Sequence, residues 1–292
     1  MLGPPGTGKT MMAKALPGVL PSLSSEEAIE ITRIYSAAGQ LSPGQSLITT
    51  RPVRSPHHTA SAAAIVGGGV IPRPGEISLS HRGVLFLDEL AEFPRDVLEA
   101  LRQPMEDHVV TIARSHGSVR FPASFMLIAA MNPTPKGDMP VGEVGKRAMD
   151  KYLERLSGPL LDRIDMHVEA PAVPFKELSR GAGGVPVPMT AGSTTAEMRE
   201  KVEGARARQV ARQGVGTPNA RLSGKQLDAL ARLDEKTVSV LGDAMTSMKL
   251  SARAYDKIRR VSRTIADLNG REHVAQEDVL EAVQYRLLDR KP

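Results

Sequence analysis

The stretch Gly3-Pro4-Pro5-Gly6-Thr7-Gly8-Lys9-Thr10 decides the fold class of this chain. It matches G-x-x-x-x-G-K-[ST], the pattern of phosphate-binding loops, at every fixed position. Average residue usage would produce this match by chance in about one chain in a hundred of this length. In such loops the glycines let backbone N–H groups surround a phosphate, and the threonine hydroxyl is a ligand of Mg²⁺. We therefore predict that residues 3–10 bind ATP, with Lys9 at the β- and γ-phosphates and Thr10 on Mg²⁺.

A second motif is an apolar strand that ends in two carboxylates, Val84-Leu85-Phe86-Leu87-Asp88-Glu89. Taken alone, it also fits a strand followed by a solvated acidic turn. Because a complete phosphate loop precedes it, we predict a catalytic role. Asp88 would hold Mg²⁺ through water, and Glu89 would polarise the attacking water.

A third motif ends another apolar run, Ile128-Ala129-Ala130-Met131-Asn132-Pro133. The side chain of Asn132 is predicted to orient the water against the γ-phosphate of ATP. The alternative is that Asn132 and Pro133 only initiate a turn, since this dipeptide is common in turns.

The order of patterns along the chain predicts two domains. Residues 1–170 alternate helical patterns with apolar runs at 83–87 and 125–130, which are typical of central strands in a parallel sheet. A helix is expected over residues 95–105, stopped near Pro104. Residues 171–193 are rich in Pro, Gly and Ala and read as a linker. Residues 194–292 are helical throughout and predict a small all-α domain, with a capping box at Ser223.

Composition narrows the class of protein. The chain has 292 residues, 41% of them hydrophobic, no cysteine and no long apolar run. Disulfides, thiol chemistry and a membrane span are therefore not expected, and these features together favour the cytoplasm. The net charge of +5 is compatible with a nucleic-acid partner, but aromatic residues are only 3%. Any contact with nucleic acid is therefore expected at phosphates rather than through base stacking.

The three strand ends, in this order, resemble those of AAA+ ATPases. Gly158-Pro159-Leu160-Leu161-Asp162-Arg163-Ile164-Asp165 resembles the arginine-finger segment of the magnesium-chelatase-like branch. Arg51-Pro52-Val53-Arg54-Ser55-Pro56-His57-His58-Thr59-Ala60-Ser61 is similar to a signature of the ComM/YifB family, which is linked to natural transformation. The resemblance covers nearly the whole chain. It implies a P-loop AAA+ core followed by a helical lid domain.

The resemblance also implies a hexameric ring with ATP at the subunit interfaces. Arg163 would be the finger that reaches the γ-phosphate of the neighbour. Its alternative is a surface salt bridge to Asp162 or Asp165. Arg253 resembles a sensor-2 arginine at the start of a lid helix, and its alternative is a solvated helix face, because the same helix carries several other arginines.

Residues 110–121 predict a β-hairpin with its turn at 115–117. Related helicases carry a pore hairpin at this place, so Arg114, His116 and Arg120 are expected to contact DNA phosphates. The alternative is an exposed hairpin without a ligand. Arg51 and Arg54 are included among the expected nucleic-acid contacts. His57 and His58 form a poor metal-ligand set, so phosphate contact or a loop role is expected for them.

Two features depart from the family. Only Met1-Leu2 precede the loop, where a buried strand is normal and where the family usually has an N-terminal domain resembling the Lon protease fold. An N-terminally truncated form is therefore expected. Many members also have cysteines after the Asn-Pro pair, whereas this chain has Thr134-Pro135-Lys136-Gly137-Asp138.

The leading hypothesis is a Mg²⁺-dependent ATPase that drives a DNA motor, with branch migration in recombination during DNA uptake as its task. The first alternative is an ATPase subunit of magnesium chelatase. The second is a nucleotide-dependent assembly module that does not hydrolyse ATP.

Overall fold

The computed structural model of the chain describes residues 1–114, 117–134, 147, 149, 152, 153, 155–172 and 192–289. The chain divides into two compact units. The first contains Met1–Pro17, Ser22–Arg163 and the described residues from Glu169 to 172. The second contains Gly18–Pro21, Ile164–Val168 and the described residues from 192 onward. Most of the predicted linker, residues 171–193, lies outside the described residues, so its bounds stay a prediction.

The first unit combines short helices with strands. The helices are α1 (Lys9–Ala15), α2 (Ser25–Ala38), α3 (Ala62–Val66), α4 (Glu76–Leu79), α5 (Arg95–Ala100), α6 (Arg102–Asp107) and α7 (Gly158–Leu161). The strands are β1 (Val53–Arg54), β2 (Gly67–Gly68), β3 (Arg73–Pro74), β4 (Val84–Leu87), β5 (Val109–Arg114), β6 (Gly117–Pro122) and β7 (Met126–Ala129). A 3₁₀ helix, Leu90–Glu92, follows β4, and another, Leu16–Val19, follows α1.

A parallel sheet with the order β1-β4-β7 is the centre of this unit. All four residues of β4 are buried, as expected for a strand covered on both faces. Apolar side chains of β4, α5 and the hairpin β5–β6 pack into one core. The predicted strands at 83–87 and 125–130 are present, each slightly shorter than predicted, and the α/β fold class is confirmed. The central position is right for β4 and wrong for β7, which lies at an edge of the described sheet with only β4 beside it and has no buried residue.

The residues before the phosphate loop join this sheet. Leu2 forms parallel bridges to Met131 and to Glu169. The N–H of Gly3 donates to Met131 O at 3.2 Å, and the N–H of Met131 donates to Met1 O at 3.0 Å. The loop therefore starts from backbone that is already held beside the end of β7.

The prediction of one helix over residues 95–105 is wrong in its extent. The region contains two helices, α5 and α6, which are separated at Leu101. Pro104 does not stop the second helix, which continues to Asp107. Pro104 lies in the first turn of α6, where backbone N–H groups have no partner within the helix and a proline removes no hydrogen bond.

The predicted hairpin is confirmed as β5 and β6, paired antiparallel from Val109↔Pro122 to Arg114↔Gly117. Val110 and Ile112 are buried, whereas residues 117–120 are exposed. The hairpin is thus fixed to the core along one face of β5. Residues 115 and 116 lie outside the described part of the chain.

The second unit is helical in its described part. It contains α8 (Thr195–Gln213), α9 (Gly224–Leu230), α10 (Glu235–Ser247), α11 (Ala252–Leu268) and α12 (Gln276–Gln284), with 3₁₀ helices at Asn219–Arg221 and Leu287–Asp289. Apolar side chains of α10, α11 and α12 form its core. This agrees with the predicted all-α region.

The capping box predicted at Ser223 is wrong. Ser223 is the N-cap of α9, but its side chain makes no capping hydrogen bond. The next residue, Gly224, has φ +46°. This left-handed first residue departs from helical geometry, so the N–H groups of the first turn do not face the serine hydroxyl. Within the described residues, no helix is long and apolar enough to cross a membrane.

A buried polar cluster joins three elements of the second unit. Asp267 of α11 is fully buried. Its carboxylate accepts from Arg212 of α8 at 2.7 and 2.8 Å, from Arg263 at 2.9 Å and from Asn219 at 2.8 Å. Burial alone would raise the pKa of Asp267, but these hydrogen bonds and the positive charges of the arginines outweigh it and lower the pKa.

Candidate functional site

The loop before α1 has the backbone of a phosphate-binding loop. Gly6 and Gly8 have φ +80° and +82°, a left-handed conformation that other residues adopt at a cost. This conformation turns successive N–H groups towards one point, an arrangement suited to an anion. Lys9 follows directly as the first residue of α1 and is 8% exposed.

The ammonium group of Lys9 has three acceptors. It donates to Gly3 O at 2.7 Å, to Pro4 O at 2.8 Å and to Asn132 Oδ1 at 3.2 Å. The last contact joins the loop to the residue at the end of β7. Burial lowers the pKa of Lys9, and the negative charge of Asp88 opposes this shift. The structure thus brings together Lys9 and Asn132, two residues for which the sequence predicted separate roles at the phosphates.

Thr10 and Asp88 meet at the end of β4. Thr10 Oγ1 donates to Asp88 Oδ2 at 2.7 Å, and the N–H of Glu89 donates to Asp88 Oδ1 at 3.0 Å. A hydroxyl and a carboxylate at one point are hard oxygen ligands, the type that Mg²⁺ prefers. Mg²⁺ is commonly held by one or two protein groups together with phosphate oxygens and waters, so this pair fits such an ion.

Glu89 has an uncommon backbone conformation. Its φ is +53° and its ψ is +49°, in the left-handed region. This region costs a non-glycine residue on the order of 1 kcal/mol or more, and such strain is often found at functional sites. With Asn132, the side chain lines a cavity of about 380 Å³.

Three residues that the sequence did not single out complete the lining of this cavity, namely Glu92, Tyr152 and Arg155. Arg155 Nη1 donates to Glu92 Oε2 at 3.0 Å, and the hydroxyl of Tyr152 donates to Glu92 Oε1 at 3.1 Å. Burial and the charge of Glu92 raise the pKa of Tyr152 to about 12. No motif identified these residues, because Glu92 is 60 residues away from Tyr152 in the sequence and only the fold brings them together.

His58 also contacts the site. Its Nδ1 lies 3.1 Å from Glu89 Oε2. The sequence predicted a phosphate contact or a loop role for His58, and the contact with Glu89 was not predicted.

Arg163 has partners inside its own unit. Its guanidinium contacts Glu106 Oε1 at 2.8 Å and donates to Pro159 O at 2.7 Å. The neighbours considered from the sequence were Asp162 and Asp165, and the structure adds the carboxylate of Glu106, on α6. Its role as an arginine finger stays a prediction.

Arg253 lies exposed in the first turn of α11. Other arginines of this helix are engaged within the second unit: Arg259 with Asp228, Arg260 with Leu222 O, and Arg263 with Asp267. The exposed position of Arg253 is compatible with the alternative of a solvated helix face. The sensor-2 role of Arg253 stays a prediction.

Arg51 and Arg54, predicted to contact nucleic acid, are held by carboxylates within the first unit. Arg51 contacts Glu27 at 3.1 Å and also donates to Arg82 O at 2.7 Å. Arg54 binds both oxygens of Glu76 at 2.6 Å. These contacts give both arginines a role in holding the 51–61 segment, and their DNA contact stays a prediction.

The hairpin residues expected to contact DNA are described only in part. Arg120 is exposed on β6, opposite Thr111. Arg114 is the last residue of β5, and His116 lies outside the described residues.

Comparison with known proteins places these features in context. The family described as "Magnesium chelatase, subunit ChlI" matches residues 1–178, and "Magnesium chelatase, subunit ChlI C-terminal" matches residues 192–286. The chain is 44% identical over 291 residues to "Competence protein ComM" of Haemophilus influenzae, covering 99% of this chain and 55% of that protein. It is 43% identical over 293 residues to "Uncharacterized protein YifB" of Escherichia coli, covering 99% of this chain and 56% of the relative.

A more distant similarity is to the "Magnesium-chelatase 38 kDa subunit" of Rhodobacter capsulatus. It is 26% identical over 156 residues, 48% of this chain and 43% of that subunit. The chain spans about half the length of the ComM and YifB relatives that it matches.

Proposed function

This chain belongs to the ComM/YifB group of the magnesium chelatase family of AAA+ proteins, and from that membership we propose that it hydrolyses ATP with Mg²⁺. One observation carries the proposal. The two contacts Lys9–Asn132 and Thr10–Asp88 join the loop to the ends of two parallel strands. This is the edge of an α/β sheet at which ligands generally bind.

Each side chain has a role in the proposed reaction. The loop of residues 3–10 binds the phosphates, and Lys9 exchanges a present acceptor for a phosphate oxygen. Thr10 and Asp88 hold Mg²⁺, which neutralises charge on the β- and γ-phosphates. Glu89 accepts a hydrogen bond from the attacking water, and Asn132 orients that water.

The first test is ATP turnover of the purified chain beside Glu89→Gln. We expect this change to lower kcat by at least about a hundredfold, because general bases contribute roughly 10²–10⁴-fold. Nucleotide binding should persist, since the loop is intact. Glu200→Gln, an equal charge change on the exposed surface of α8, is the matched control. Equal turnover of both variants would contradict the proposal.

We further propose that the chain acts in a ring-shaped DNA motor, with branch migration during natural transformation as its task. The similarity to a protein named for competence supports this, as do the positive net charge and the exposed Arg120 of the hairpin. Arg163 would complete the ATP site of a neighbouring copy. The chain spans about half the length of these relatives, so the activity of a whole relative comes to it only as a proposal.

DNA-stimulated turnover tests this second proposal. Branched DNA should raise the ATP turnover of the chain, and Arg120→Ala should reduce the stimulation while basal turnover stays unchanged. Arg95→Ala, an exposed arginine at the start of α5, is the control. Stimulation that is equal in both variants would contradict a role of the hairpin.

The chelatase alternative is favoured by the similarity to the 38 kDa magnesium-chelatase subunit. It predicts turnover that does not respond to DNA and needs dedicated partner subunits. A non-hydrolysing assembly module predicts nucleotide-dependent oligomers without turnover. The same assay, combined with a measurement of mass in solution, separates the three functions.

A further inference from the structure

We propose that His58 is a positioning residue that orients the carboxylate of Glu89 for its reaction with water. The inference rests on the proposed ATPase function and adds a residue outside the three strand-end motifs.

The contact joins a ring nitrogen of His58 to a carboxylate oxygen of Glu89. Nδ1 of His58 lies 3.1 Å from Oε2 of Glu89. In the proposed arrangement the imidazole donates from Nδ1, because an ionised carboxylate only accepts hydrogen bonds. A donor at Oε2 leaves Oε1 to accept from a water in the cavity that Glu89 and Asn132 line. A base that is itself oriented by a third group is a recurring arrangement in enzymes.

The topology explains how His58 reaches Glu89. Strands β1 and β4 are parallel neighbours, paired at Arg54↔Leu85. Chains that leave parallel strands in the same direction emerge at the same edge of the sheet. The segment after β1 therefore runs beside the turn after β4, although His58 and Glu89 are far apart in sequence.

The imidazole of His58 is held on several sides. Its ring lies 4.1 Å from that of His57 and meets Phe93 edge-on at 6.4 Å. Arg54, four residues earlier, is fixed by its two hydrogen bonds to Glu76. His57 has a different partner, since its Nδ1 lies 2.9 Å from Thr59 Oγ1. The two adjacent histidines thus have different contacts: His57 contacts Thr59 within its own segment, and His58 contacts Glu89.

Orienting the carboxylate of Glu89 has a larger effect on catalysis than it would at an unstrained residue, because the backbone of Glu89 is strained, with φ +53°. The left-handed conformation directs the side chain, but the carboxylate is still half exposed and can rotate. A fixed donor at Oε2 removes that freedom. The expected consequence is on the rate of the chemical step and not on ATP binding.

The kinetic test compares His58→Ala, His58→Asn and His273→Ala in the full chain. His58→Ala should lower kcat roughly tenfold and leave KM for ATP unchanged, as expected for an interaction made in the transition state. His58→Asn should recover part of the rate, because its amide can donate to Glu89. His273→Ala removes an exposed histidine of the second unit and should retain kcat. An unchanged or raised kcat in His58→Ala, or equal losses in both alanine variants, would overturn the inference.

A second measurement does not need turnover. The imidazole ¹⁵N shift of His58, followed in histidine-labelled protein, should change in Glu89→Ala and stay constant in Glu92→Ala. If the shift responds while the wild-type chain turns over no ATP, the proposed function fails and the contact stands. If the shift does not respond, the inference is overturned whatever the turnover.

Discussion

The ammonium group of Lys9 has three N–H donors, and three oxygens accept from them. Two are carbonyls of the loop itself, and the third is the side chain of Asn132. A phosphate that binds Lys9 has to replace one of these acceptors, and the carbonyls are fixed by the loop. We infer that the exchange occurs at Asn132, the acceptor with the longest bond, which connects phosphate binding to the end of β7.

Lys9→Ala is expected to weaken ATP binding by roughly 10- to 100-fold, because hydrogen bonds to charged groups are worth about 1.5–3 kcal/mol. A fluorescent ATP analogue measures the affinity. Lys14→Ala removes an exposed lysine from the same helix and should have no effect. If both variants bound equally well, Lys9 would not be the phosphate ligand.

His167 makes the second unit sensitive to acid. Burial, and then the positive charge of Arg286, lower the pKa of His167 to about 3. In the unfolded chain the pKa is about 6.5, so between these values the unfolded state binds the proton and the folded state does not. The stabilisation is complete above pH 6.5 and is lost as pH falls, at up to about 1.4 kcal/mol per pH unit.

Hydrogen exchange of the α12 amides measures this effect. Between pH 6.5 and 5.5, the free energy of opening should fall by about 1 kcal/mol more in the wild type than in His167→Gln, which does not titrate. An identical pH dependence in the two proteins would show that His167 is not the responsible group.

At the scale of elements, the polar cluster around Asp267 joins α8, the 3₁₀ helix Asn219–Arg221 and α11. Its partner Arg263 is 2% exposed. Burying an ion of this kind costs free energy unless the ion is paired. Removing one partner therefore destabilises the protein more than replacing both partners by apolar residues. The loss of one partner is therefore expected to weaken the packing of these three elements.

Asp267→Asn is expected to destabilise the second unit by about 3 kcal/mol, because the shape is retained while Arg263 loses its counter-charge. Denaturant unfolding followed by circular dichroism measures the loss. Asp243→Asn, an exposed carboxylate on α10, is the control and should change stability by less than about 0.5 kcal/mol. Equal stability of the two variants would contradict a structural role of the cluster.

At the scale of the whole molecule, the proposed ring requires that copies of the chain complete one another's sites. A ring is built from head-to-tail interfaces, in which one surface of a copy meets a different surface of the next. In the single chain, Arg163 contacts Glu106. Its proposed function needs this pair to open towards a neighbour.

Mixing two inactive variants tests this requirement. Arg163→Ala subunits keep Glu89, and Glu89→Gln subunits keep Arg163, so mixed rings should recover measurable ATP turnover that neither variant has alone. The control is the Glu89→Gln protein mixed with itself. Turnover that does not exceed the sum of the separate proteins would indicate that Arg163 acts within its own chain.

The sequence alone determined the loop, the strands β4 and β7, the hairpin and the helical character of the second unit. These features depend on neighbours in sequence: glycines at fixed spacing, apolar runs of strand length and alternation along β5 and β6. The fold class follows from their order, and the family resemblance was confirmed by the matches over nearly the whole chain.

Only the tertiary structure decided which side chains meet. It paired Glu89 with His58, Arg163 with Glu106 and Arg54 with Glu76, and it showed that the helix over residues 95–105 divides at Leu101. These outcomes depend on strand order and on packing between segments distant along the chain, which local patterns do not encode. For the same reason, the sequence did not identify Glu92, Tyr152 and Arg155 as lining the cavity. The charge and aromatic character of these side chains acquire a role only when the fold brings them to one surface.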